Sequence, residues 1–288
     1  MTRYSPSDNP IQYSKPNISN LIDSGLSPVD MHLHTCHSDG RCTIKDLISY
    51  AKTNQIGVAI TDHNEIRGVL EAVAYHEDLL IIPGIELETL EGPHLLMYFY
   101  TPGDLQDFFQ KFQKKRTCEN SGMPHNIPVL ECLMLAEPFD CIRVAAHPFG
   151  YFGINRGVLK CAEKNMLPGV LEHIDGIEVI CGGMMENLNK KAIHYAQEHP
   201  VSFTGGSDAH ILSDVGSVIT GVVADCVEDF LTGIQRRENI VVGKPSGYLH
   251  KGATAGVIAW SFAPYAFTRL TRQYSFYKKR LEERGKKP

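Results

Sequence analysis

The sequence contains no C-x-x-C pair, no Gly-x-Gly-x-x-Gly or phosphate-loop motif, only one tryptophan, and no apolar run long enough to cross a bilayer. Each absence excludes something. The 8 cysteines (Cys36, Cys42, Cys118, Cys132, Cys141, Cys161, Cys181 and Cys226) are scattered, which rules out a zinc ribbon or a thioredoxin-like redox pair. The nearest candidate for a membrane span, GVIAWSFAPYAF at residues 256–267, is short and contains Pro264. Gly182-Gly183 and Gly205-Gly206 belong to no phosphate-cradling pattern and read as sharp backbone turns. Positive charge is not in excess, since the formal net charge is -5, so no general affinity for nucleic acid is implied. No secretory apolar region stands at the N-terminus, so reduced thiols and a cytoplasmic location are expected.

What is present is an ordinary folded composition of 288 residues, 43% hydrophobic and 21% charged, enough for one large α/β domain or two small ones. Three parts are expected. Residues 1–28, rich in Ser, Pro and Asn, read as a loosely structured leader, residues 29–245 as a catalytic barrel, and residues 246–288 as a basic and aromatic extension. Short apolar runs alternate with helical patterns. Strands are expected at 29–33, 57–61, 79–87, 94–100, 142–146, 175–180, 201–205, 216–224 and 240–242. Thr43 can cap a helix running to Asn54, and others are expected at 65–76, 186–198 and 227–237. Residues 103–138 read as a helical insertion, with Leu105, Phe108, Phe109 and Phe112 forming a packing face. Such alternation favours a largely parallel sheet closed into a barrel, with chemistry at the C-terminal strand ends.

Polar residues follow those runs. His32-Leu33-His34 ends the first, with Ser38-Asp39-Gly40 beyond it; Thr61-Asp62-His63, Ile85-Glu86 and His147-Pro148 end later ones; His94 opens one; Ser207-Asp208-Ala209-His210 ends another. Residues two apart on a strand share a side, so His32 and His34 can aim at one point, as can Asp208 and His210 if extended geometry persists. A lone H-x-H or D-x-H is weak, because a single buried histidine is commonly a hydrogen-bonded core residue. Several at successive strand ends are harder to dismiss. Imidazole mixed with carboxylate suits Zn, Mn or Fe.

The ordered set D-M-H-L-H-T-x-x-S-D-G, I-T-D-H, P-G-I-E, A-H-P-F and G-S-D-A-H, within residues 29–245, resembles the polymerase-and-histidinol-phosphatase (PHP) family of metal-dependent phosphoesterases. The resemblance implies a distorted (β/α)7 barrel with two or three divalent cations. His32, His34, Glu86 and Asp208 would surround one; Glu86, His94 and His147 a second; Asp39, His63 and His210 a third. The implied reaction is in-line attack on phosphorus by a metal-bridging hydroxide, with Asp208 or His210 moving a proton to the leaving oxygen. The expected substrate is a small phosphorylated metabolite or nucleotide. A nuclease acting on nucleic-acid ends, a metal-dependent amidohydrolase and a non-catalytic regulatory barrel are the alternatives.

Other residues carry weaker signals. Arg156 is a candidate phosphate grip. Glu178 is expected beside the ligands or the substrate, Asp62 in support behind the ligands or in a structural hydrogen bond, and Arg143 in a structural role. In the extension, Arg269, Arg272, Lys278, Lys279, Arg280, Arg284, Lys286 and Lys287 outnumber Glu282 and Glu283. This run reads as a solvated face, with contact to nucleic acid or an anionic membrane surface as alternatives.

Overall fold

The computed structural model describes residues 10–76, 78–116, 126–150 and 156–245. Its centre is a ten-stranded sheet in which seven strands follow chain order: β2 (Ser27–Leu33), β3 (Gly57–Ile60), β4 (Ile81–Glu88), β5 (His94–Phe99), β6 (Cys141–Ala145), β7 (Gly176–Cys181) and β8 (Ser202–Gly206). Beyond β2 lie β9 (Val218–Val222), β10 (Ile240–Gly243) and β1 (Ile11–Gln12). The sheet curls until the end of β8 returns to β2. Asp208 N–H donates to His32 O at 2.7 Å and His34 N–H to Ala209 O at 2.9 Å. The result is a distorted seven-stranded barrel with helices outside it.

Two strands depart from the expected parallel order. β5 runs antiparallel to both β4 and β6, and β9 runs antiparallel to β2 and β10. An apolar run such as His94-Leu95-Leu96-Met97-Tyr98-Phe99 carries no sign of its direction. Only the short link after β4 fixes it, since a parallel return needs a long crossover.

Alternation sorts the strand side chains into two packed sets. Ile81, Ile85, Leu87, Leu95, Met97 and Phe99 join the cluster built with the helices. Ile82, Leu96, Tyr98, Ile142, Val144 and Ala146 lie on the other face, where Phe230, Leu231 and Ile234 of a helix at Val227–Gln235 cover them. Glu86 and His94 share that second face by their spacing from Ile82 and Leu96.

The helices start and stop for local reasons. Thr43 Oγ1 accepts from Asp46 N–H at the head of Ile44–Asn54, whose Ile44, Leu47, Ile48 and Ala51 are buried, and Gln55 ends it in left-handed geometry. In the expected insertion, Pro102–Arg116 and Val129–Ala136 are helices, and their Leu105, Phe108, Phe112, Cys132 and Leu133 belong to the barrel's own cluster. Part of the segment expected as a loose leader is built into the fold. Ile11 pairs with Val241, Asn17 caps a helix at Ile18–Asp23, and Leu21 is buried. The basic and aromatic extension lies outside the described residues. Among the described residues, no helix is long and apolar enough to cross a membrane.

Candidate metal centre

Every strand-end residue singled out from the sequence converges at one end of the barrel. His32 and His34 come from the end of β2, a stretch whose register against β3 shifts between Asp30 and Leu33. Glu86 comes from β4. His94 comes from the first residue of β5, which reaches the same end because that strand runs backwards. His63, Asp39, His147, Asp208 and His210 lie just past strand ends. His147 and Asp208 have φ of 28° and 53°, in the left-handed region that non-glycine residues seldom adopt. Gly206 lets β8 approach closely, because a Cβ there would collide with the backbone of His32. That is its role in place of the sharp turn expected. Gly40 likewise lies against the His34 carbonyl.

At the centre is Glu86, fully buried. Its Oε2 stands 3.3 Å from His32 Nε2, 3.3 Å from His34 Nε2 and 3.1 Å from His63 Nδ1. Asp208 Oδ1 lies 3.6 Å from His32 Nε2 and 3.3 Å from His34 Nε2. The other Glu86 oxygen, Oε1, meets His94 Nδ1 at 2.9 Å and His147 Nε2 at 3.1 Å. Farther out, Asp39 Oδ2 meets His210 Nε2 at 3.1 Å and His63 Nε2 at 3.6 Å, and Asp39 Oδ1 lies 3.7 Å from His34 Nδ1.

Three observations fit this donor set to cations. First, His32 Nε2, both ring nitrogens of His34, His63 Nδ1 and Glu86 Oε2 are buried without a hydrogen-bond partner, a state that costs about 1–3 kcal/mol per group if left uncompensated. Second, the inner spacings of 3.3–3.6 Å match ligand atoms around a tetrahedral ion, which stand roughly 3.3 Å apart when bonds are about 2.0 Å long. Third, the rings of His63 and His210 lie 4.5 Å and 4.4 Å from that of His34, a crowding that suits neutral imidazoles around a cation.

The electrostatics are correspondingly polarised. Burial would lower His32, but Glu178, Glu86 and Asp208 together hold it well above its ordinary value. Burial dominates at His94, pushed down to about 4, and at His34, where His210 and His63 push the same way. Burial would raise Glu86, yet His63, His32 and His94 hold it well below the usual carboxylate range. His210 is raised to about 9, because Asp39 and Asp208 outweigh burial.

Residues behind the cluster fix its geometry. Asp62 accepts from Thr35 N–H (2.7 Å), Thr35 Oγ1 (2.7 Å) and Ser38 Oγ (2.6 Å), so it shapes the loop carrying Asp39. Glu178 meets His32 Nδ1 at 2.9 Å and accepts from His147 N–H at 2.7 Å. Asp30 receives no role from the sequence reading, although it opens the D-M-H-L-H run. It accepts from Ser207 N–H, Ser207 Oγ, Gly216 N–H and His32 N–H, which ties β8 to β2. Cys181 Sγ, also unsignalled in the sequence, lies 3.6 Å from Asp208 Oδ2. The backbone carbonyl of Arg156 accepts from His94 N–H at 3.3 Å, which puts that residue beside the cluster. Arg143 lies apart from it, paired with Asp175 through contacts of 2.8 and 2.9 Å. His37 pairs with Glu71 at 3.2 Å.

Comparison with known proteins points the same way. A family model described as the PHP domain matches residues 30–141, and one described as PHP-associated matches residues 186–239. No curated protein matched in sequence. Among solved structures, a protein from Bifidobacterium adolescentis described as a metal-dependent phosphoesterase is 20% identical, with TM-score 0.50 over 63% of this chain and 87% of that one. An amidohydrolase from Chromobacterium violaceum is 19% identical, with TM-score 0.51 over 65% and 89%. A lesion-specific endonuclease from Pyrococcus furiosus is 18% identical, with TM-score 0.59 over 75% and 57%. At such identities these likenesses show the fold. The two matched segments carry the family likeness: the chain holds a PHP domain over residues 30–141 and a PHP-associated segment over residues 186–239.

Proposed function

We propose that the chain is a metal-dependent phosphoesterase acting on a small phosphorylated metabolite or nucleotide. The observation that carries this reading is the convergence of buried, partnerless imidazole nitrogens on a partnerless oxygen of Glu86. His32, His34, Glu86 and Asp208 would hold one ion, Glu86, His94 and His147 a second, and Asp39, His63 and His210 a third. When bound, divalent ions of the Zn, Mn or Fe kind supply hydroxide near neutral pH and neutralise charge on phosphoryl oxygens.

The remaining work falls to the chain. Glu86 offers one oxygen to each of two groups of imidazoles and so sets their separation. Asp208 and His210 stand at the rim of the cluster, joined by a 3.0 Å contact between His210 Nδ1 and the Asp208 carbonyl, and would pass a proton to the leaving oxygen. Arg156, held next to His94 by its backbone, would grip a phosphoryl oxygen with its guanidinium. Residues 29–245 would form the catalytic unit. A nuclease is the second reading, favoured by the basic run between Arg269 and Lys287.

The test is phosphate release from sugar phosphates, nucleotides and short oligonucleotides with added Mn²⁺ or Zn²⁺, with His32→Ala and Asp208→Ala as controls. Turnover of a small phosphoester that vanishes in both variants supports the proposal. Preference for oligonucleotides moves the assignment to nuclease. Silence on every phosphoester by a metal-loaded protein turns it towards amide hydrolysis.

A further inference from the structure

Among the described residues, Glu178 is the carboxylate that reaches both inner groups from behind, through the ring of His32 and the backbone of His147. Its side chain is 1% exposed and sits on β7, 146 residues from His32 and 31 from His147 in the chain. One oxygen lies 2.9 Å from His32 Nδ1. The opposite nitrogen of that ring, Nε2, faces Glu86 and Asp208. Glu178 therefore stands outside the ring of inner ligand atoms. An ionised carboxylate can only accept at that distance, so it requires the proton on Nδ1 and leaves the Nε2 lone pair for the cluster. The other oxygen accepts from the His147 N–H at 2.7 Å, at a residue whose φ is 28°. A backbone in that region persists only where its surroundings hold it.

We propose that Glu178 is a positioning residue that sets two metal subsites at once, fixing the tautomer of His32 in one and the backbone of His147 in the other. This rests on the metal reading given above. Glu178 mirrors Glu86: one spans the two imidazole groups from within, the other braces them from outside. Both oxygens of Glu178 are directed at His32 and His147, so the outer group, Asp39, His63 and His210, serves as an internal control.

The experiment uses the full chain as parent, Glu178→Gln and Glu178→Leu. The Gln side chain keeps one acceptor but turns a donor towards either His32 Nδ1 or the His147 N–H. The Leu side chain removes both acceptors. Zn²⁺ and Mn²⁺ are titrated by calorimetry into metal-free protein whose circular dichroism matches the parent. Glu178→Gln should weaken the inner ions by roughly 10–100-fold, the usual range for lost support of a ligand, and leave the outer ion unchanged. In metal-free Glu178→Leu the His147 amide should exchange its hydrogen faster than in the parent. Unchanged inner affinities in Glu178→Gln, or equal weakening of inner and outer ions, would overturn the proposal. If Glu178→Leu fails to fold, the Gln titration decides alone. If the parent takes up no ion, the metal reading fails, and unchanged His147 exchange in the Leu variant then overturns the role of Glu178 as well.

Discussion

The inner and outer halves of the cluster are built differently. Of the inner residues, His32, Glu86 and His94 lie on strands and His34, His147 and Asp208 follow directly on strand ends, and their side chains are 0–6% exposed. Asp39, His63 and His210 lie past strand ends, and their side chains are 9–14% exposed. Ligands on strands inherit the rigidity of a ten-stranded sheet, whereas ligands on connecting segments depend on side-chain braces such as Asp62. An ion in the inner half should be held as part of the fold, and an ion in the outer half should exchange.

The largest effect is expected at the joint between the inner groups. Glu86→Gln should lower turnover on the order of 10³-fold, as removal of a central electrostatic element does, with inner metal content falling alongside it in elemental analysis. Retained turnover would remove the contrast altogether. Next comes Asp39→Asn, expected to weaken only the outer ion, by roughly 10–100-fold. In the parent, brief dialysis against a chelator should take that ion first. Simultaneous loss of all ions would show one undivided cluster.

Asp30→Asn should act on stability, by about 1–3 kcal/mol, since four donors converge on its carboxylate. Burial outweighs those hydrogen bonds and raises Asp30 from 3.8 to about 6. Its contribution is therefore complete below the unfolded value and lost as pH rises through the folded one. The gap in melting temperature between parent and variant should narrow from pH 4 to pH 7. Smallest of all is Arg143→Ala, far from the cluster and partly solvated, expected to cost about 1 kcal/mol or less in thermal melts and to leave turnover unchanged.

Much of this was legible in the sequence because the chemistry follows the strand period. His32 lies on β2 and His34 just past its end, two residues apart, and the motifs fall at strand ends in chain order. What escaped was what register decides. Glu178 stands beside the ligands as expected, but its partner His32 lies 146 residues away and Asp30 reaches Ser207 across 177, and neither pairing leaves a local trace. Direction escaped too, because β5 reads the same both ways. The D-x-H of Asp208 and His210 points inward by a different means from the one alternation suggests. β8 ends at Gly206, and Asp208 turns the chain through positive φ.

The junction of β8 with β2 has a consequence for folding. The other neighbours named in the barrel pair through ladders of two or more residue pairs, and the β4–β5 hairpin closes within a few residues. Here the chain ends of the barrel meet through a single bridge, Leu33 with Ala209, and a few hydrogen bonds. Contacts of such long sequence separation form late, after local ones have lowered the loop-closure cost. His32 and His34 stand on one side of that junction and Asp208 and His210 on the other. An ion gripped by both sides would act as a clasp, so the metal-free chain should open first along this line.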